Sequence, residues 1–139
     1  MSIAFSRRLA VIAGVALPVL ETARRCHQLG DLAVWPYWLD DWAIGIFLLY
    51  GAWKVSQDAV AGRPVLAGAW GFACGLGYAS FFSQVESLDQ ADPSGLAPSA
   101  MVVIKGLMLT VGIAALVATV RGTPSVVVAA KSDNTRQGT

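Results

Sequence analysis

Four apolar stretches, 9–29, 36–59, 64–87 and 98–120, divide this sequence, and the sign of the charge alternates in the gaps between them. Arg7, Arg8, Lys54, Arg63, Arg121, Lys131 and Arg136 gather on one side. Glu21, Asp31, Asp40, Asp41, Glu86, Asp89 and Asp92 gather on the other, with Arg24 and Arg25 against them. A chain that crosses a bilayer four times produces this alternation, because cationic loops stay in the cytoplasm. The sequence therefore predicts an all-α integral membrane protein. Its expected form is a four-helix transmembrane bundle over 1–121, with both termini inside, short loops and a disordered cytoplasmic tail over 122–139.

Composition supports this class. Hydrophobic residues make up 55% and charged residues 14%, against roughly 25% charged in an ordinary soluble domain. A chain of 139 residues has room for one such domain and no soluble module beside it. The net charge of +1 leaves no concentrated basic surface, which argues against nucleic acid as a partner. Cys26 and Cys74 are expected near the outer surface and in mid-membrane, too far apart in depth to form a disulfide. Arg7 and Arg8 before an apolar run imitate a signal peptide. The best cleavage point, after Ala23, would however place Glu21 where a small residue is needed, so a retained helix is expected.

A span needs about 20 residues at about 1.5 Å each. The apolar runs 9–20 and 42–53 are shorter than that. Helices 1 and 2 are therefore expected to carry Glu21, Arg24 and Arg25, and Asp40 and Asp41, into the outer boundary. Glu21 precedes the two arginines by the spacing that allows pairing on one helix face. Trp35, Tyr37, Trp38 and Trp42 suit an outer aromatic belt, and Tyr50 and Trp53 an inner one. The Ala-Gly-Arg-Pro segment 61–64 is expected to turn helix 2 into helix 3. Pro18 is expected to bend helix 1.

Small residues recur every four positions. Ala10, Gly14, Pro18, Thr22 and Cys26 do so in helix 1. Ala67, Gly71, Gly75, Ala79 and Ser83 do so in helix 3, and Gly106, Thr110, Ala114 and Ala118 in helix 4. Such stripes let helix backbones approach closely in lipid, so Gly71, Gly75 and Gly106 are expected at packing seams. The Gly71/Gly75 face is also a candidate surface for an oligomer or a membrane partner subunit.

Chemistry, if any, should sit in the outer half. Lys105 lies inside helix 4, and ionisable residues within a span are candidate sites for ions or polar solutes. Ser80, Ser83, Gln84 and Ser87 share one face of helix 3 by their spacing. Asp41, four residues before Gly45, is expected on a closely packed face, and Asp40 about 100° away from it, toward water. Glu21, Asp41, Lys105, Gln84 and Ser80 form the expected solute or ion site, with Arg24, Asp40 and Glu86 as a secondary polar rim.

Other chemistry is thinly represented. His27 with Cys26 could begin a transition-metal site completed by Asp31, Asp40 or Glu86, but neither this set nor the lone Asp40–Asp41 pair amounts to a metal motif. No cofactor and no metal are expected. No phosphate loop, nucleophile elbow or HExxH is present, so no enzyme is expected either. The sequence is read as a small polytopic protein of a bacterial inner membrane. It would bind or pass a small ion or polar solute at the outer cluster, as a homo-oligomer or with a partner subunit. The alternative is an accessory or assembly subunit in which the cluster is a structural salt-bridge network.

Overall fold

The structure, a computed structural model, describes residues 2–25, 35–90 and 95–122. These residues form four helices: α1 (Ile3–Arg25), α2 (Trp35–Gln57), α3 (Ala59–Glu86) and α4 (Pro98–Arg121). Each helix packs on the next in the chain, and α1 also meets α4. Thr22 meets Trp38, Gly51 meets Leu66, Gln84 meets Lys105 and Ser6 meets Thr119, so successive helices run antiparallel. The ends at Arg25, Trp35, Glu86 and Pro98 define an acidic end. The ends at Ile3, Gln57, Ala59 and Arg121 define a basic end.

Three helical segments are long and apolar enough to cross a membrane: Ile3–Ala23, Ala59–Glu86 and Pro98–Arg121. α2, which holds Asp40, Asp41 and Lys54, is not among them. Helix α1 begins six residues before the expected start at 9 and takes Arg7 and Arg8 into its second turn. Ser2 starts it: its carbonyl accepts from Phe5 N (3.1 Å) and Ser6 N (3.4 Å), and its hydroxyl accepts from Phe5 N. The 21 residues of Ile3–Ala23 therefore supply the missing apolar length at the N-terminal end. That span contains Glu21, as the sequence suggested, and ends before Arg24 and Arg25, which length does not force into it. Arg7 and Arg8 sit on a continuing helix and do not mark its boundary.

The turn between α2 and α3 also differs from expectation. It is made by Asp58 alone, and the segment 61–64 is already helical. Asp58 has an extended backbone, and its Oδ1 accepts from Val60 N (2.8 Å) and Ala61 N (3.1 Å), satisfying two of the open donors of α3. Gly62 is needed for proximity: a Cβ there would run into the backbone of Lys54 and Val55. Pro64 lies in the second turn of α3, where its missing N–H leaves the Val60 carbonyl without its usual helical donor.

The apolar core lies toward the basic end. It joins Ile3 and Ala10 of α1, Ile44, Leu48, Ala52 and Val55 of α2, Leu66, Ala69 and Trp70 of α3, and Ala115 of α4. Apart from Ile44, near the middle of α2, each belongs to the basic half of its helix. Two polar contacts close the same end. Ser6 and Thr119 hydroxyls meet at 2.6 Å, both fully buried, and Thr119 also donates to Ala115 O at 2.8 Å. The Arg63 guanidinium donates to Gly122 O, placing a cation on the negative end of α4.

Candidate functional site

In the acidic half, the buried residues among those described are few: Pro18 and Glu21 on α1, Gln84 on α3 and Met101 on α4, with Ile44 and Gly45 at mid-height on α2. Two of these are polar. The helices here are held in pairs, by different chemistry in each.

The α1–α2 pair is built on glycine, proline and threonine. Pro18 deprives the Gly14 carbonyl of its usual helical donor, and Gly45 packs directly on that oxygen and on the proline ring. A Cβ at Gly45 would lie 2.7 Å from Gly14 O and 2.5 Å from Pro18 Cγ. One turn further on, Thr22 donates its hydroxyl to Pro18 O at 2.6 Å. Thr22 Oγ1 in turn accepts the indole N–H groups of Trp38 (3.2 Å) and Trp42 (3.3 Å). Trp35, Trp38 and Trp42 form a ladder up α2, with ring centroids 6.1 and 5.7 Å apart. The Trp38 and Trp42 indole edges are thus tied to α1, while Trp35 and Trp42 remain exposed. Thr22 was legible only as a small residue; its role as a double acceptor depends on the two tryptophans three and seven residues into α2.

The α3–α4 pair is built on Lys105. Its ammonium donates to Gln84 Oε1 at 2.8 Å and to Ser80 O at 3.4 Å. Gln84 is buried, and Lys105 is half-buried. Gly106, next to it, lets α4 lie against the Phe81 ring. The lysine stem therefore runs from α4 along α3 toward the acidic end.

The remaining sequence-predicted residues fall as follows. Glu21 is buried at 9% exposure, Asp41 is half-buried, and Asp40 and Glu86 are exposed. Glu21, Asp41 and Lys105 all have interaction partners in the fold. Arg24 lies in the last turn of α1, with its side chain outside the described residues. The structure brings Lys105, Gln84 and the Ser80 backbone into contact through α3 and α4. Glu21 and Asp41 stand on the other helix pair, within about two turns of the same end. Cys26 and His27 lie outside the described residues, as does the tail after Gly122. Cys74 is a free thiol beside Gly112. Among the described residues no group of three or more His, Cys, Asp or Glu side chains could hold a metal ion.

The glycine stripe of α3 differs from expectation. A Cβ on Gly71 or Gly75 would meet nothing within 4 Å, and both residues are exposed. These glycines face outward and form no seam among the described residues. The intramolecular close approaches use Gly14, Gly45, Gly51 and Gly62. Spacing alone marks a stripe but not the direction in which it points.

Comparison with protein-family models, with curated proteins and with solved structures found no match for this chain.

Proposed function

We propose that the protein crosses a membrane four times, with its basic end in the cytoplasm, and binds or passes a small ion or polar solute through the acidic half of a four-helix bundle. The charge alternation supports this orientation, and a bacterial inner membrane is its natural setting. One observation carries the functional reading. The buried apolar core thins out beyond mid-height, where Leu17, Leu76, Phe81 and Met101 share the buried or half-buried positions with Glu21, Asp41, Gln84 and Lys105, polar residues drawn from all four helices. A bundle built only for stability would continue its apolar packing, because polar groups inside a span are costly unless they are partnered.

The test is a thermal-shift series on detergent-purified protein, wild type beside Asp41→Asn, against monovalent and divalent cations, amines and lipid headgroups. A ligand of the folded state raises the melting temperature according to its concentration over its Kd. A shift seen in wild type and lost in Asp41→Asn is the expected result. If no ligand shifts the wild type and Asp41→Asn simply melts lower, the cluster is architecture.

A second reading rests on the outward face of α3. Gly71 and Gly75 leave a shallow, open groove where another helix could approach closely. On this reading the protein is a homo-oligomer or an accessory subunit, and the cluster fixes helix register. Gly71→Leu has space inside the chain, so it should fold normally and yet lower the oligomer mass or lose a co-purifying subunit. An unchanged assembly would remove this reading.

A further inference from the structure

Taking the membrane-crossing reading as its basis, we infer that Lys54, Tyr50 and Trp53, at the basic end of α2, hold the phosphodiester of an anionic phospholipid. Their spacings of three and four residues put them on one helix face. They also meet in space. The Tyr50 and Trp53 ring centroids are 5.8 Å apart, and Lys54 Nζ lies 5.7 Å from the first and 5.3 Å from the second. Both rings are exposed, Tyr50 at 46% and Trp53 at 52%, so the patch faces away from the bundle. Among the described residues the ammonium's contacts are these two rings. Asp58, the acid of this end, turns its Oδ1 onto Val60 N and Ala61 N instead. The ring faces attract the charge and leave the ammonium's three N–H groups for an oxygen from outside the chain. Each ring brings one polar hydrogen of its own, a phenol O–H and an indole N–H, to the same patch.

Depth decides which oxygen that is. From Trp35 to Lys54 the helix rises about 28 Å at about 1.5 Å per residue, close to the roughly 30 Å of a hydrocarbon layer. With the Trp35–Trp38–Trp42 ladder at one interface, Lys54 stands at the other, at the level of the lipid phosphates. Charge decides which lipid. Arg7, Arg8, Lys54, Arg63 and Arg121 stand at the basic end against Asp58 among the described residues. A zwitterionic headgroup carries its own ammonium into that field and is repelled there. An anionic headgroup is drawn in, as it is by other basic segments beside a membrane.

The experiment uses wild type, Lys54→Gln, Lys54→Arg and the double variant Tyr50→Phe with Trp53→Phe, purified in detergent and read by thermal shift. The probes are dihexanoyl-phosphatidylglycerol, dihexanoyl-phosphatidylcholine and inorganic phosphate at matched concentrations. Wild type should bind the glycerol lipid about fivefold more tightly than the choline lipid, the fold-change that one cation near an anionic surface confers. Lys54→Gln should erase that preference and Lys54→Arg should keep it. The double variant keeps both rings over the ammonium but lacks their polar hydrogens, and its preference should fall by about half or more, as charge-assisted hydrogen bonds are lost. Equal binding of the two lipids by wild type overturns the assignment, as does a preference that survives Lys54→Gln. If Lys54→Gln does not fold, the double variant decides, and an undiminished preference overturns it. Inorganic phosphate binding as tightly as the glycerol lipid would make this a site for a free anion and also overturn it. The membrane reading is checked separately, since wild type reconstituted in vesicles should resist extraction by alkaline carbonate. If it is extracted, both readings fall; if it stays and shows no lipid preference, the lipid site alone falls.

Discussion

At the scale of single residues, Thr22 and Lys105 organise the acidic half, and they act in different ways. Thr22 is a neutral hub with one proton to give, to Pro18 O, and two indole protons to receive. Thr22→Val keeps the shape and leaves both indole N–H groups without that acceptor. It should cost about 1–2 kcal/mol, on the basis of about 0.5–1.5 kcal/mol per hydrogen bond, and should alter tryptophan fluorescence. Thr22→Ser should restore both; a fluorescence spectrum of Thr22→Val identical to wild type would contradict the arrangement. Lys105 is a charged strut. A double-mutant cycle of Lys105→Met and Gln84→Leu should give a coupling of about 1 kcal/mol in mixed-micelle unfolding, within the range known for interhelical hydrogen bonds in membranes. A coupling near zero would mean that the 2.8 Å contact does not persist in solution. The candidate site was legible to the extent that Lys105, Gln84 and Ser80 could be placed on facing stripes by helical periodicity. Thr22 was not, because its importance comes from α2, and no pattern within α1 reports it.

Helices begin and end where backbone donors find acceptors, and hydrophobicity is a poor guide to that. Asp58 illustrates this at the scale of elements. As an acid on the basic side it runs against the charge alternation, yet it caps α3 with two backbone hydrogen bonds. Asp58→Ala should lower stability by about 1 kcal/mol, and Asp58→Ser should recover most of it in the same unfolding assay. Glycines sort by direction in the same way. Gly45→Ala would force a methyl group into Gly14 O and the Pro18 ring. It should cost about 1–3 kcal/mol, as overpacking does. Gly71→Ala meets nothing within 4 Å and should leave monomer stability within about 0.5 kcal/mol. Equal penalties at the two sites would show that the α3 face is packed after all. Helix number and approximate position were readable because four apolar runs separated by charge leave few alternatives. Start points were displaced by up to six residues, because Arg7, Arg8, Gly62, Arg63 and Pro64 look like boundaries and are interior helical residues.

For the whole molecule, the uneven core matters most. Leu48, Leu66 and Ala115 are fully buried toward the basic end, while the acidic half relies on hydrogen bonds and glycine contacts within helix pairs. Hydrogen exchange in detergent should therefore release amides around 80–86 and 101–106 before those around 48–55 and 66–70, since local opening follows packing. Uniform protection along the helices would contradict this. Sequence hydropathy could not have foretold the asymmetry, because the exposed and buried faces are both apolar over most of their length and only three-dimensional contact distinguishes them. The tight end also has a mechanical meaning. A single-residue turn at Asp58, the Arg63 clamp on Gly122 and the Ser6–Thr119 pair hold all four helices at one end, as a fulcrum holds its arms. The 28 residues of α3 make an arm of about 42 Å at about 1.5 Å per residue, so a 5° tilt at the clamp would move its far tip by about 4 Å. Rocking too small to disturb the core would thus be magnified into displacements as wide as a water molecule at the opposite rim.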